Sequence, residues 1–320
     1  IKYNKDKRNY KKRNFKMAKR KKQGLVLGLV VLLIIGGIGI YSAFSSNNKN
    51  EQALAKEKDD KESSNENKIE EKDNSGYLAL KDDPNADDAV VVSERTSGLL
   101  KGQLHYPVRE DGKKVVYLTF DDGPSTTNTP EVLKILDKYN VKGTFFIMGK
   151  SIEANKKATS EILKKIASNG HAIANHSYSH DYSYLYPNRV INIERFMEEY
   201  NKTNNLLKSV LGKDFETRVV RFPGGYWSWQ GREQARPVLD KNNVNIVDWN
   251  ALNGDAENGG VNTPEQLVEK TKTSVEALGE NADSVVFLMH DTYQKENTVK
   301  ALPEIIEYFK AKGYEFRTIK

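Results

Sequence analysis

From Val115 to the end of the chain, short apolar runs alternate with longer segments whose apolar residues recur at helical spacing. The runs are rich in β-branched and aromatic residues, which favour strands. The seven predicted strands cover residues 115–120, 143–147, 171–176, 219–222, 244–249, 284–290 and 314–319. Near-continuous apolar strands separated by helices are typical of a parallel sheet covered by helices, so the pattern predicts an α/β fold.

Two of the segments between strands carry helix-start signals. Apolar residues at 132, 135, 136 and 139 stand at i, i+3, i+4 and i+7, and Thr129 before Pro130 predicts the N-cap of this helix. Thr263 and Gln266 predict a capping box at the start of a second helix, which continues to Leu278.

A doubly wound sheet and a (β/α) barrel both fit this alternation. Neither a GxGxxG nor a GxxxxGK[ST] motif follows a predicted strand, so the usual signs of nucleotide binding are absent from the sequence. Residues capable of catalysis instead follow five strands, which is where barrel enzymes hold their active sites. They are Asp121 and Asp122, His176 and His180, Arg221 with Gly224 and Gly225, Asp248 with Trp249, and His290 with Asp291.

The chemistry of these residues suits a metal-dependent hydrolase. The chain has no cysteine, so a metal site cannot use thiolates. Two imidazoles and one carboxylate, with a position left open for water, form a catalytic zinc site, and His176, His180 and either Asp121 or Asp122 fit this set. Metal-bound water has a lowered pKa, and the remaining carboxylate can act as its general base.

The other strand-end residues suit the remaining steps of such a hydrolysis. His290, on a different strand, suits the general acid that protonates a leaving amine. Arg221 can hold the base carboxylate ionised, and the backbone at Gly224 and Gly225 or after Asp122 can offer N–H donors to an oxyanion. The residues predicted to line a small apolar pocket are Trp249, Leu288 and Tyr226.

Five motifs occur in a fixed order: TFDDGPS (119–125), HSYSH (176–180), RFPGG (221–225), DWN (248–250) and LMH (288–290). Their order and spacing resemble the motifs of the polysaccharide deacetylases, the NodB-like carbohydrate esterase family four, over residues 115–320. The resemblance implies a distorted (β/α) barrel of about seven parallel strands. It also implies removal of acetyl groups from N-acetylated glycans with a divalent metal, usually zinc.

The resemblance also implies individual roles. Asp121 matches the catalytic base, Arg221 the residue that pairs with it, and His290 the general acid. The residues that match the metal ligands are Asp122, His176 and His180. The residues that match the lining of the acetate pocket are Trp249 and Leu288.

The sequence departs from the family at two positions. Many members have an aromatic residue directly after the proline of the third motif, where this chain has Gly224, and Tyr226 or Trp227 is expected to fill that wall. Many also have an aspartate four residues before the tryptophan of the fourth motif, where this chain has Asn245. The carboxylates that could replace it as the partner of His290 are those of Asp248, Asp255 and Asp291.

The first 75 residues differ in composition from the rest. Residues 1–22 contain twelve Lys/Arg and one acid, which leaves 38 basic and 43 acidic residues elsewhere and gives no support to a nucleic-acid-binding domain. Gly24 to Phe44 is a run of 21 uncharged residues, long enough to cross a membrane. We predict a transmembrane signal-anchor over 23–44, with the basic tail in the cytoplasm. A cleaved signal peptide is the alternative.

A polar linker is predicted to separate this anchor from the deacetylase domain. Residues 45–75 contain four apolar and fifteen charged residues, which indicates disorder. Residues 76–114 are predicted to form a segment that packs on the domain of residues 115–320. An extracellular domain anchored in this way resembles a Gram-positive cell-surface enzyme, whose nearest N-acetylated polymer is peptidoglycan.

We therefore expect deacetylation of N-acetylglucosamine in peptidoglycan, with Zn²⁺, or another divalent ion such as Co²⁺, as the cofactor. The alternative substrates are another surface glycan, chitin oligomers and acetylated xylan. A non-catalytic carbohydrate-binding module is the alternative from a different class, but such a module would gain nothing from an intact base, metal set and acid.

Overall fold

The computed structural model of the protein describes residues 76–257, 259 and 262–320. The predicted basic tail, transmembrane segment and linker, residues 1–75, lie outside these described residues. Within them, no helix combines the length and the apolar composition that crossing a membrane requires.

The strands of the described residues fall into one large sheet and one small one. Their bounds are β1 Ala86–Asp87, β2 Val115–Gly123, β3 Gly143–Ile147, β4 Ala172–Asn175, β5 Val219–Val220, β6 Asn245–Ile246, β7 Ala251–Leu252, β8 Ser284–His290, β9 Glu315–Phe316 and β10 Thr318–Ile319. The large sheet has the order β6-β5-β4-β3-β2-β8-β7, and all pairs along it are parallel. Strand β9 pairs with the start of β2, and β1 pairs with β10.

The two faces of the large sheet hold different clusters of apolar side chains. In β2, Val115 and Tyr117 join an inner cluster, while Val116, Leu118 and Phe120 join an outer one, as the two-residue repeat of a strand requires. The inner cluster also takes Phe146, Ala174, Val219 and Val286 from β3, β4, β5 and β8. Because side chains from five strands meet on one face, the sheet is curled around them. This confirms the expected α/β class and barrel-like sheet of seven parallel strands.

A helix from the segment before the barrel covers its open side. In α1, Ala89–Leu100, the side chains of Ala89 and Val92 are buried in the inner cluster. Ser93 Oγ donates a hydrogen bond to Ile246 O in β6 at 2.5 Å. The helix contacts β6 at one end of the sheet and β8, next to the other end. Residues 76–114 thus include part of the barrel wall.

The remaining helices lie between the strands. They are α2 Asn128–Lys138, α3 Gly149–Ala154, α4 Lys156–Ser168, α5 Tyr182–Leu185, α6 Ile193–Leu211, α7 Arg232–Lys241, α8 Pro264–Glu276 and α9 Glu296–Ala311. Apolar residues of α2, α4, α8 and α9 pack on the outer face of the sheet. The capping box of α8 is confirmed, since Thr263 N–H donates to Gln266 Oε1 at 2.8 Å and Gln266 N–H donates to Thr263 Oγ1 at 3.4 Å.

Three local predictions need correction. Helix α2 begins at Asn128, before the predicted N-cap Thr129, because Ser125 Oγ accepts the N–H groups of both residues. Residues 314–319 form two short strands, of which β9 pairs with β2 and β10 with β1. Strand β7 was missed because two residues carry no periodicity, although they pair with Phe287 and Leu288 of β8.

Candidate active site

A bulge at the end of β2 brings two adjacent carboxylates to one side of the sheet. Asp121 continues the inward series of Val115, Tyr117 and Thr119. The pairing of β2 with β3 shifts register between Asp121 and Gly123, and Asp122 has a φ of 70°. A bulge re-aims a side chain that strict alternation would send to the other face. As a result, Asp121 Oδ2 and Asp122 Oδ1 lie 3.6 and 3.3 Å from the same atom, His176 Nε2.

Arg221, directly after β5, fixes the first of these carboxylates. The side chain is fully buried, and its Nη1 donates to Asp121 Oδ1 and to Thr119 Oγ1, both at 2.8 Å. Its Nε donates to Val247 O at 2.9 Å, and its guanidinium carbon lies 4.1 Å from the centre of the Phe146 ring. The ion pair holds Asp121 in one orientation and leaves Oδ2 facing the histidines.

His176 follows β4 and presents Nε2 to the carboxylates. Its Nδ1 lies 2.8 Å from Arg221 O. A carbonyl oxygen can only accept, so Nδ1 carries the hydrogen, and Nε2 of the neutral ring offers a lone pair. His180, which has a φ of 58°, places its Nε2 3.6 Å from Asp122 Oδ1.

Asp122, His176 and His180 can hold a metal ion. One potential ligand atom from each residue lies within 4.8 Å of the others. Asp122 Oδ1 is buried, and no donor in the described part of the chain forms a hydrogen bond of normal geometry with it. Two imidazole nitrogens and a carboxylate oxygen suit Zn²⁺ and leave a position open. The residues present therefore fit the divalent cation that the sequence predicts.

The charged groups of this cluster shift one another's pKa values. Burial raises the pKa of Asp122, but the neighbouring His176 and His180 outweigh burial and hold that pKa below its ordinary value. Burial lowers the pKa of His176, whereas Asp121 and Asp122 raise it above its ordinary value. Burial and the neighbouring His176 lower the pKa of His180. The carboxylates that attract a proton to His176 would equally stabilise a cation in its place.

His290 ends β8 directly beside Asp121, its register partner on β2. Its Nδ1 lies 2.7 Å from Asp255 Oδ1, and its backbone N–H donates to Asp255 Oδ2 at 2.9 Å. Burial lowers the pKa of His290, but Asp255, followed by Asp122 and Asp121, raises it to about 9. His290 is therefore protonated at neutral pH and can donate a proton.

Asp255 is one of the three carboxylates that the sequence offers as the partner of His290. The other two have different partners. Asp248 accepts hydrogen bonds from backbone N–H groups of the loop after Gly225, and Asp291 accepts one from the Thr129 hydroxyl. Asn245, where the family often has aspartate, lies in β6 and donates through its side chain to the carbonyl of residue 243.

Two of the predicted pocket residues, Trp249 and Leu288, lie near the catalytic candidates. The Trp249 ring centre is 5.5 Å from the Arg221 guanidinium carbon. Leu288 is buried two residues before His290, on the same face of β8. Gly225 has a φ of 85°, and a Cβ there would lie 3.0 Å from the Trp249 ring, so glycine suits this position.

Tyr226 does not line the pocket, where the sequence analysis placed it. Its side chain is buried, its ring centre lies 5.2 Å from that of Phe222, and its hydroxyl donates to Arg232 O at 3.0 Å. The ring therefore belongs to an aromatic core beneath the loop. The N–H of Gly225 donates to Phe222 O at 2.8 Å, so it is not aimed at an oxyanion.

Tyr182, which no motif includes, stands near this wall. Its side chain is 44% exposed, and its ring centre lies 5.1 Å from that of His180. A Cβ on Gly224 would lie 3.1 Å from both Tyr182 Oη and the Trp229 ring. These two side chains occupy the space beside Gly224 that Tyr226 or Trp227 was expected to fill. In the sequence, Tyr182 could have been noticed because it stands two residues after His180, a candidate metal ligand.

Three comparisons with known proteins bear on the family of the chain. Residues 108–241 match the family model described as polysaccharide deacetylase. A peptidoglycan-N-acetylglucosamine deacetylase of Bacillus cereus is 31% identical over 215 residues, covering 65% of this chain and 67% of that protein. A bifunctional xylanase/deacetylase of Pseudobutyrivibrio xylanivorans is 31% identical over 209 residues, covering 65% of this chain but 30% of that protein.

A solved structure extends the similarity to the fold. The structure of a CE4 esterase from Streptococcus mutans superposes with a TM-score of 0.67 and is 35% identical, covering 77% of this chain and 100% of that one. The matching family model, the B. cereus relative and this structure together confirm the resemblance drawn from the five motifs. The chain belongs to the polysaccharide deacetylase family.

Proposed function

We propose that this member of the family is a metal-dependent deacetylase that removes N-acetyl groups from N-acetylglucosamine residues of peptidoglycan. One observation carries the chemical part of the proposal. The Asp122–His176–His180 cluster has the Arg221-bound Asp121 on one strand and the Asp255-bound His290 on the next. A non-catalytic carbohydrate-binding module would have no use for this arrangement.

Asp122, His176 and His180 are the proposed ligands of a divalent cation. When bound, the cation supplies Lewis acidity, which lowers the pKa of water and polarises the acetyl carbonyl. We propose Zn²⁺, because a site with two imidazoles, one carboxylate and no sulfur suits this ion, while Co²⁺ would fit the same donors.

Asp121 is the proposed general base. Arg221 occupies its Oδ1, so Oδ2 faces the site and can take a proton from the attacking water. Because Arg221 is itself held by Val247 O and Thr119 Oγ1, the base is in place before substrate binds.

His290 is the proposed general acid. The Asp255 carboxylate accepts the hydrogen of Nδ1, which leaves the Nε2–H of the protonated ring to donate to the departing amine. Asp255 is in turn held by Thr298 Oγ1 at 2.7 Å, so the orientation of the imidazole is fixed through two hydrogen bonds.

The substrate contacts follow from the surfaces around these groups. We assign the acetyl methyl group to Trp249 and Leu288, which offer apolar surface near Asp121 and His290. The exposed ring of Tyr182, beside His180, is suited to pack against a sugar ring.

The location of the enzyme is also a proposal, and it rests on the sequence. The uncharged run from Gly24 to Phe44 follows a strongly basic tail, which favours a single-pass anchor with its N-terminus in the cytoplasm. The deacetylase domain would then lie outside the membrane, next to the wall of a Gram-positive cell. This placement, and the name of the B. cereus relative, support peptidoglycan as the substrate.

Acetylated xylan is the second candidate substrate, because the P. xylanivorans relative combines a xylanase with a deacetylase. Incubation of the purified protein with zinc and either peptidoglycan or acetylated xylan would separate the two. We expect peptidoglycan to release acetate and to gain free amino groups on its glucosamine residues. Release from xylan alone would favour the second candidate, and a His176→Ala variant is the control for metal-independent hydrolysis.

A further inference from the structure

The turn that carries His176 and His180 rests on a buried carboxylate from outside the five motifs. Glu199 of α6 is 5% exposed. Its Oε2 accepts the backbone N–H groups of Tyr178 at 3.1 Å and Ser179 at 3.0 Å, and its Oε1 accepts Ser179 Oγ at 2.5 Å. A buried carboxylate is costly unless it is hydrogen-bonded. Here its bonds go to two of the three residues between the histidines.

The backbone of this turn is strained on both sides of those bonds. Ser177 has a φ of 64° and His180 a φ of 58°, in the left-handed region that residues other than glycine seldom adopt. Such conformations persist where surrounding contacts outweigh their cost. Glu199 supplies three such contacts, and the carboxylate makes them charge-assisted and therefore stronger than neutral hydrogen bonds.

A second residue of α6 holds the start of the turn. Thr203, one helical turn after Glu199, donates through Oγ1 to Ser177 O at 2.8 Å. Gly149, at the start of α3, packs against the same place: a Cβ there would lie 2.5 Å from both Thr203 Oγ1 and Tyr178 Cδ2. The turn is thus enclosed between α6 and α3.

We propose that Glu199 and Thr203 are positioning residues that hold the His176–His180 turn in its metal-binding shape and thereby set the affinity of the site for its cation. The proposal rests on the proposed function, because it takes these histidines to be ligands. Without the two anchors, the turn is free to relax, and cation binding has to supply the cost of ordering it again. Neither residue touches the substrate or the reacting atoms.

Zinc affinity and folding stability distinguish this role from a merely structural one. The zinc dissociation constant would be measured by competition with a chromophoric chelator, and the melting temperature would be measured on the metal-free protein. In a protein that is fully folded at the assay temperature, a loss of global stability does not change the dissociation constant. The variants are Glu199→Ala, Glu199→Gln and Thr203→Val. Glu198→Gln is the matched control, because this neighbouring glutamate is exposed and bonds Tyr184 Oη instead.

We expect Glu199→Ala to weaken zinc binding by about tenfold or more, as the loss of residues that orient metal ligands typically does. Glu199→Gln should restore most of the affinity, because its amide oxygen can accept the two backbone N–H groups and the Ser179 hydroxyl can turn to accept from the amide. Thr203→Val should weaken binding by about threefold, the equivalent of one neutral hydrogen bond of about 0.7 kcal/mol. Glu198→Gln should bind zinc like the unmodified protein.

Wild-type zinc affinity in both Glu199→Ala and Thr203→Val, with a loss in melting temperature alone, would overturn the proposal. If Glu199→Ala does not fold, Glu199→Gln and Thr203→Val decide: unchanged affinity in both overturns it, and weakened affinity in Thr203→Val supports it. A His176→Ala variant keeps the two hypotheses separate, because undiminished zinc binding there would contradict the metal site itself and not the role of α6.

Discussion

His176, which is buried, and His290, which is partly exposed, both lie at the ends of parallel strands, yet their surroundings suit them to opposite tasks. The Nδ1 of His176 meets a backbone carbonyl, that of Arg221, whereas the Nδ1 of His290 meets the carboxylate of Asp255. The pKa of both rings lies above the ordinary value in spite of burial, which lowers it. The two differ in where the negative charge that raises the pKa lies.

For His176, the charges that raise the pKa are on the Nε2 side, where Asp121 and Asp122 face the proposed metal position. A divalent cation bound there would compete directly with the proton, and the ring would act as a neutral ligand. For His290, the carboxylate that contributes most is that of Asp255, on the Nδ1 side of the ring. A cation at the proposed metal position would not displace the proton from that side. One ring is therefore suited to bind a metal and the other to keep a proton.

His171, which is fully buried, shows the effect of burial on a histidine that has no carboxylate partner among the groups that shift its pKa. His171, immediately before β4, has its Nδ1 bonded to Gly143 N–H at 3.1 Å. Burial, assisted by the charge of Lys142, lowers its pKa to about 3. Burial without a carboxylate partner thus makes a histidine of this domain neutral, and the carboxylates near His176 and His290 account for the raised pKa of those two rings.

The largest expected effect separates the two histidines by metal content. His176→Ala should remove bound zinc and reduce deacetylation to background, while His290→Ala should retain the metal. Both variants should remain folded, because the apolar clusters of the barrel do not include either side chain. Metal analysis of the purified variants, with circular dichroism as the folding control, tests this. Full metal content in His176→Ala would contradict the ligand assignment.

Asp121 lies between the two histidines, and its removal should affect chemistry without affecting the metal. Asp121→Asn keeps the shape of the side chain and an acceptor for Arg221, but it removes the acceptor for the proton of water. The rate should fall by about 10²-fold or more, the usual contribution of a general base. Zinc content and kcat, measured on the same preparation, provide the test. A variant that deacetylates at the normal rate would rule out Asp121 as the base.

The acid role of His290 predicts a dependence on the leaving group. His290→Ala should slow hydrolysis of an N-acetyl substrate by about 10²-fold, because the amine has to be protonated as it leaves. The deficit should be much smaller for an activated aryl acetate, whose leaving group departs without protonation. The ratio of kcat/KM for the two substrates is the informative quantity. Equal losses on both would argue against His290 as the acid.

The elements that the sequence predicts well are those with a repeating pattern. Six of the seven predicted strands each form one strand of the main sheet, and the seventh adds β9 to it, because strands buried on both faces form uninterrupted apolar runs. The five motifs indicated the family and the candidate residues. Chemistry alone left Asp121 and Asp122 interchangeable, because the bulge that aims Asp122 at the histidines leaves no mark in hydrophobic periodicity.

The details that the sequence missed or left open depend on contacts between distant or irregular segments. The sequence left the partner of His290 open among Asp248, Asp255 and Asp291, because Asp255 lies 35 residues away in a loop after the two-residue strand β7 and neither spacing nor periodicity selects it. Tyr226 was expected in the pocket because it follows the third motif. The turn at Gly224 and Gly225, both with positive φ, is instead followed by a tyrosine that packs against Phe222.

The smallest expected effect is a shift in pH dependence when the partner of His290 is neutralised. In the unmodified protein, Asp255 helps to raise the pKa of His290 to about 9, so the protonated acid persists at neutral pH and is lost as the pH rises through that value. A bound cation offsets the contributions of Asp121 and Asp122, which leaves Asp255 as the main raising group. Asp255→Asn keeps an acceptor for Nδ1–H but removes the charge. Burial then dominates, and the pKa of His290 should fall below its ordinary value.

The alkaline limb of kcat in Asp255→Asn should therefore move to lower pH. A fall of the pKa from about 9 to about 6.5 predicts a deficit of about thirtyfold at pH 8 and a smaller one at pH 5.5. Asn245→Asp is the matched control. It introduces the aspartate common in the family, but Asn245 lies in β6, where it pairs with Val219 of β5 and donates through its side chain to the carbonyl of residue 243. Its profile should coincide with that of the unmodified enzyme. A shift in Asn245→Asp with none in Asp255→Asn would show that the family's usual position, and not Asp255, controls the proton of His290.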